Sequence, residues 1–229
     1  MKAFVLAGGL GTRLKPRFGD TPKSLAPLGG QPFLVRQLAA LRSHGVRRAV
    51  ILAGHGADAL RAELGASASG VTLEWSVEDE PLGTGGALKL AERHVDGPVL
   101  VVNGDTLADG DPWQVERDRW ERGSLGSVAL YEVPDARSRG RVEAAADGRI
   151  TRFVEKDEAW NGPAWVNGGV YAFSPGLWRQ LPEGASSLER DVLPGLAAHG
   201  LLHGRRCAGR FWDIGTPEDF ERAERELTR

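Results

Sequence analysis

Apolar positions along this chain switch repeatedly between strand and helix spacing. "KAFVLA" (2–7) is a short continuous apolar run, as expected of a strand buried on both faces, and it leads into the glycines of "GGLGTR". "FLVRQLAALRSHG" (33–45) sets Leu34, Leu38 and Leu41 at helical spacing and stops at Gly45. "RRAVILA" (47–53) reads as the next strand, "ADALRAELG" (57–65) as the next helix, and "VTLEWSVE" (71–78) as a strand with partial alternation. A helix is expected over 83–95, and "GPVLVVNGD" (97–105) is an almost wholly apolar strand ending on Asp105. Apolar strands alternating with helices predict a doubly wound, three-layer α/β/α arrangement.

The second half is richer in strands. A helix is expected around 112–122, then strands over 124–133, 141–156 and 164–175, with a hairpin turn at Asp147–Gly148. "SLERDVLPGLAAHG" and "FWDIGTPEDFERAERELT" close the chain. The fold class is therefore a Rossmann-like α/β fold: a mixed, mostly parallel central sheet with additional antiparallel hairpin elements. No repeat or composition shift marks a boundary, so residues 1–229 read as a single domain.

Composition narrows the function classes. The net charge is 29 − 31 = −2, so no global positive field invites nucleic acid. Cys207 is the lone cysteine, which excludes an internal disulfide and a cysteine-rich zinc site. "MKAFVLAGG" is too short for a signal peptide and no run reaches membrane-span length, so the expectation is a soluble cytoplasmic protein without a membrane partner. His44, His55, His94, His199 and His203 fall outside the motifs and read as surface or loop residues.

"AGGLGTR" (7–13) follows a strand and enters a polar turn, the context a phosphate-binding loop requires. Gly8, Gly9 and Gly11 remove side-chain bulk so that backbone N–H groups can approach a phosphate, and Arg13 offers a bidentate donor. The plainer alternative is a glycine-rich turn with a surface arginine. Lys23 follows Pro22, which holds the backbone out of helical geometry; it is either a point charge for phosphate or a surface lysine. In "VNGGVY", Asn167 precedes two glycines that leave room for close approach of a ligand. Trp160, Trp165 and Trp212 read as core or wall residues.

"LAGGLGTRL", "PKSLAPLGGQPFL", "PLGTGGA", "NGD", "FVEK", "NGGVY" and "WDIGTPED" occur in this order from residue 3 to about 221. Together they make the chain resemble the sugar-1-phosphate nucleotidyltransferases, the nucleotide-sugar pyrophosphorylases. "SVEDEPLGTGGALKLA", "VNGGVYAFSP", "SLERDVLPGLA" and "FWDIGTPEDF" are most similar to the D-glycero-D-manno-heptose 1-phosphate guanylyltransferases of bacterial surface-glycan synthesis. The resemblance implies nucleotidyl transfer from a nucleoside triphosphate, GTP favoured, to a sugar 1-phosphate, releasing pyrophosphate. It further implies a nucleotide-binding half (1–110) and a sugar-phosphate-binding half (111–229), without the C-terminal β-helix domain of many relatives.

Residue by residue, the resemblance places Leu6, Ala7, Gly8, Gly9, Gly11, Thr12, Glu78, Gly83, Thr84 and Asp105 around the nucleotide. Arg13, Lys23 and Lys156 become the catalytic cations, and Gly104, Glu155, Asn167 and Gly168 face the sugar. Asp105 and Asp213 would hold Mg²⁺, the implied cofactor; a helix cap is the other use of a strand-end aspartate. The connection "LKPRFGDTPKS" and Ser24 depart from the commoner family pattern but leave Lys23 intact. Other substrate pairs remain open, with UTP, dTTP or ATP and a hexose or aminosugar 1-phosphate. A non-catalytic nucleotide-sugar sensor also remains, although intact Arg13, Lys23, Asp105, Lys156 and Asp213 argue against it. The protein is expected to be a monomer or homodimer.

"VEDEPLGTGGALK" (77–89) then reads as a bend beside the base and ribose. Gly83, Gly85 and Gly86 would let backbone come close, and the helix start would offer free N–H groups. Glu78 can accept from the paired donors N1–H and N2–H₂ of guanine, whereas uracil or thymine would turn a carbonyl toward it. Asp79 and Glu80 read as solvent-facing.

Overall fold

The computed structural model describes residues 1–9, 11–137, 139–154 and 159–228. Strands β1 (Lys2–Leu6), β2 (Arg48–Ala53), β3 (Val71–Val77) and β4 (Val99–Asn103) are linked by helices α1 (Phe33–Ser43), α2 (Ala57–Leu64) and α3 (Gly83–Leu90). They pair in parallel in the order β4-β1-β2-β3. β1, β2 and β4 are apolar on both faces because both faces are covered, whereas β3 alternates in part, with Thr72 exposed and Glu74 half-buried. Phe4, Leu52 and Val101 pack with Leu88 of α3, while Val5, Ile51 and Leu100 pack with Leu34 and Leu38 of α1 and Leu60 of α2. The strand order reverses between β1 and β4, so a crevice opens at their carboxyl ends, where ligands bind in open α/β sheets.

The chain continues through β5 (Thr106–Ala108), α4 (Pro112–Glu121), β6 (Gly126–Val133), β7 (Arg141–Ala144), β8 (Ile150–Val154) and β9 (Ala164–Phe173). After β9 come α5 (Leu193–Ala198), β10 (Leu202–Arg206), β11 (Phe211–Asp213) and α6 (Pro217–Leu227). Among the described residues the main sheet has ten strands, mixed in direction. β9 pairs antiparallel with β4 through Val170–Phe173, with β6 along its other edge, and with β7 at Val166. β7 and β8 form the hairpin expected at Asp147–Gly148. Among the described residues no helix is long and apolar enough to cross a membrane.

Two strands, β5 and β10, carried no clear sequence signal. β10 pairs parallel with β6, which corrects the reading of His203: it sits on a buried strand position, not on the surface or in a loop. Burial holds its imidazole below the ordinary pKa, with nearby Arg122 adding to the effect. β5 and β11 pair with each other, setting Asp213 opposite Thr106 and so beside Asp105.

Candidate active site

The site grows from the ends of β1 and β4. Ala7 N–H donates to Leu52 O (2.8 Å) and Gly104 N–H to Leu6 O (2.9 Å), which ties the glycine loop to its neighbouring strands. A side chain at Gly8 would strike the Glu78 carboxylate, with a Cβ only 2.8 Å from Oε1. Gly9 has open space around it, and Gly11 combines a φ of +58° with a close approach to Lys23. The loop therefore uses its glycines in three ways: to pack, to stay open, and to turn.

Lys23 organises the charged centre. Its Nζ lies 2.5 Å from Asp105 Oδ2 and 3.9 Å from Asp213 Oδ1. Asp213 Oδ1 accepts from Gly215 N–H (2.6 Å), and Ile214 N–H donates to Asp105 O (3.0 Å), fixing the two aspartate segments together. A Cβ at Gly215 would sit 2.8 Å from Asp213 Oδ1 and 3.3 Å from both Arg13 Nη2 and Lys23 Nζ. Arg13, Lys23, Asp105 and Asp213 are thus brought to one place. Burial and the neighbouring Asp105 push the Asp213 carboxyl pKa up, against the pull of Lys23 and Arg139.

Two hard carboxylates converge here, and among the described residues no group of three or more His, Cys, Asp or Glu gathers to form a closed metal cage. That donor set fits Mg²⁺, which keeps water and substrate phosphates in its shell rather than filling it with protein ligands.

At the ends of β1 and β4, Leu6, Gly8, Gly9, Glu78, Gly83, Thr84, Asn103 and Asp105 border one cavity. Glu78 is half-buried; its Oε2 accepts from Leu82 N–H (3.0 Å), and burial raises its pKa. Asp79 and Glu80 are exposed, as expected. The expected role of the glycine-rich helix start needs correction. Gly85 and Gly86 donate their N–H groups to Ser186 O (2.9 and 3.3 Å), so these groups are not free for a ligand. A Cβ at Gly83, Gly85 or Gly86 would lie 2.5 to 2.6 Å from atoms of Gly184 or Ser186. The bend is glycine-rich because the segment 184–186 packs into it.

The second cavity, about 420 Å³, lies between Arg13, Arg139, Arg141, Asn167, Glu189, Arg190 and Asp213. Asn167 stands at a bulge of β9, where the register to β6 shifts between Asn167 and Tyr171. Its Oδ1 accepts from Gly169 N–H (3.0 Å) and its Nδ2 donates to Tyr171 Oη (2.7 Å). The two glycines after it do not clear space for a ligand, as the sequence suggested. Tyr131 fills the space beside Gly168, while Asn103 and Thr106 close on Gly169. Glu155 and Lys156 lie outside the described residues.

The sequence reading missed a network that joins the two cavities. Thr84 Oγ1 donates to Glu189 Oε2 (2.7 Å) and accepts from Leu188 N–H (2.8 Å). Tyr171 Oη donates to Glu189 Oε1 (3.4 Å) while accepting from Asn167. Tyr171 is fully buried, which raises its phenol pKa well above normal and keeps it a donor. Glu189 and Gly215 lay inside quoted motifs without being singled out. Arg139 had no such signal.

A glycine loop and a strand-end aspartate at the switch point of a mostly parallel sheet define a nucleotide-binding α/β fold. The chain belongs to the nucleotidyl transferase family, whose profile matches residues 2–229. It is 34% identical over 227 residues to a mannose-1-phosphate guanyltransferase of Aspergillus fumigatus, aligning 96% of this chain with 62% of that protein. It is 35% identical over 234 residues to the mannose-1-phosphate guanylyltransferase of Mycobacterium tuberculosis, aligning 99% of this chain with 64% of that one. The chain thus spans less than two thirds of these curated relatives. Among solved structures, HddC from Yersinia pseudotuberculosis superposes with a TM-score of 0.88 at 32% identity, covering 99% of both chains. HddC complexed with GMP-PN matches with the same TM-score at 31% identity.

Proposed function

We propose that this chain transfers a guanylyl group from GTP to a sugar 1-phosphate, with D-glycero-D-manno-heptose 1-phosphate as the favoured acceptor. The observation that carries this reading is the convergence of Arg13, Lys23, Asp105 and Asp213 between the nucleotide-side cavity and the Asn167 cavity. A phosphate oxygen of the sugar phosphate would attack the α-phosphorus of GTP. The new P–O bond forms as the bond from the α-phosphorus to the bridging oxygen breaks, and pyrophosphate leaves with that electron pair. The nucleophile is already anionic, so no protein base is required, and catalysis consists of positioning and charge neutralisation.

Lys23 and Arg13 would neutralise triphosphate oxygens beside the open Gly9 backbone. Asp105 and Asp213 would hold Mg²⁺, which when bound supplies Lewis-acid stabilisation of phosphate charge. Glu78 at the inner wall supports guanine through acceptor-only chemistry. Lys156 is assigned to the sugar phosphate by resemblance. The heptose assignment rests on the motif resemblance, and the whole-length match to HddC complexed with GMP-PN supports the guanine nucleotide. Mannose 1-phosphate is the second reading, favoured by the names of the curated relatives.

Pyrophosphate release measured over four nucleoside triphosphates and several sugar 1-phosphates tests the proposal. GTP with a manno-configured sugar 1-phosphate should give the highest rate, and Asp105→Ala should abolish it while keeping the fold. Release with no pair, or full activity in Asp105→Ala, refutes the corresponding part.

A further inference from the structure

We infer that Arg139 binds the phosphate of the incoming sugar 1-phosphate, an inference that rests on the proposed transfer reaction. Arg139 follows β6 on the loop leading to β7 and lines the cavity that also holds Asn167. Its guanidinium packs over Phe211, 5.1 Å from the ring centroid, and its side chain is largely buried. Nη2 donates to Asp219 Oδ1 (3.2 Å), and Asp219 is itself held by Thr216 Oγ1 (3.0 Å) at the start of α6. The arginine is thus clamped from one side. Toward the charged centre it meets only a loose partner: Nη1 lies 3.8 Å from Asp213 Oδ2, an ion pair beyond hydrogen-bond reach. Among the described residues, Nε and Nη1 have no hydrogen-bond acceptor.

The placement gives this arginine a different task from Lys23 and Arg13. Those two cations meet Asp213 on its Oδ1 side, around Gly215, whereas Arg139 approaches Oδ2 from the cavity. Two anionic phosphates must come together for the transfer, and their repulsion has to be offset from both sides. With Lys23 and Arg13 on the loop side, the phosphate arriving through the cavity meets Arg139. A planar guanidinium with donors directed past one carboxylate suits a phosphate, whose oxygens accept its fork of N–H groups. Arg13, Arg141 and Arg190 share the cavity lining, but Arg13 stands at the loop-side cluster, Arg141 packs over Trp160 at 3.7 Å from the ring centroid, and Arg190 is exposed.

Calorimetric titration of the wild type, Arg139→Met, Arg139→Lys and Asp219→Asn tests this assignment. The ligands are mannose 1-phosphate, D-glycero-D-manno-heptose 1-phosphate, free mannose and GTP. Arg139→Met should weaken whichever sugar 1-phosphate the wild type binds by at least about tenfold, the loss expected for a charge-assisted contact. GTP affinity should stay within about twofold, Arg139→Lys should recover part of the loss, and steady-state KM for the sugar phosphate should rise more than kcat falls. Equal sugar 1-phosphate affinity in wild type and Arg139→Met overturns the role of Arg139 alone. Equal loss of GTP and sugar 1-phosphate also overturns it, as does a matching loss in Asp219→Asn without gain from Arg139→Lys; either result makes the residue a structural clamp. Failure of the wild type to bind either sugar 1-phosphate overturns the proposed acceptor class along with it.

Discussion

Thr84→Val tests whether the two cavities are joined through Glu189. Valine keeps the shape of threonine and deletes one oxygen, which in the native chain makes two contacts: it donates to Glu189 Oε2 at 2.7 Å and accepts from Leu188 N–H at 2.8 Å. A hydrogen bond to a charged acceptor contributes about 1.5–3 kcal/mol, and an N–H left without an acceptor costs about 1–3 kcal/mol when buried. The site is only half-buried, so the lower ends apply and the expected loss is about 2.5 kcal/mol. For a chain of this size that corresponds to a fall in Tm of roughly 5–10 °C. Differential scanning calorimetry measures it directly, and a double-mutant cycle with Glu189→Gln should return a coupling of about 1–2 kcal/mol. Kinetics should register the change on the far side as well. Thr84 borders the cavity proposed for the nucleotide, yet its loss should raise KM for the sugar phosphate through Glu189, Tyr171 and Asn167. A Tm within 1 °C of wild type, or strict additivity with Glu189→Gln, would refute the reasoning.

Other outcomes follow from the same geometry. Glu78→Gln should narrow the preference for GTP over UTP by about tenfold, in line with a cost of roughly 1–3 kcal/mol for mismatched donors and acceptors; an unchanged ratio removes Glu78 from base selection. The same variant has a pH signature. Burial raises the folded pKa of Glu78, so its ionised form costs stability at pH values above that raised pKa, and this cost disappears as pH falls toward the unfolded value. The variant's Tm advantage should therefore be largest near neutral pH and absent in acid, as thermal scans across pH can check. Gly215→Val should cut kcat/KM by on the order of a hundredfold, because its side chain enters the Arg13–Lys23–Asp213 cluster. Its circular dichroism spectrum should match wild type, and retained activity would place the reacting phosphates elsewhere.

The parallel β1–β4 arrangement was legible because each apolar run and each helical repeat is a local pattern. Asp105 could be placed for the same reason: it ends a strand whose boundaries its own sequence announces. The convergence of Asp213 on Asp105 was less accessible, since it depends on the pairing of two three-residue strands too short for a periodic signal. The glycines after Thr84 and Asn167 show a different limit. Sequence reveals that a side chain is absent but not what fills the space, and here the occupants are Ser186 and Tyr131 from distant segments. Arg139, in a loop, and Glu189, in the helical turn Leu188–Val192, were opaque because a lone charged residue carries no mark of the partner it meets.

Ser186 has a practical implication for anyone altering the proposed nucleotide preference. The bend that follows Glu78 takes its shape from a stretch roughly a hundred positions away, whose carbonyl holds both Gly85 and Gly86. Grafting residues 78–86 from a relative with another base preference would bring in a loop without its mould. The two stretches, 78–86 and 184–189, form one exchangeable unit, and a swap of specificity should move them together.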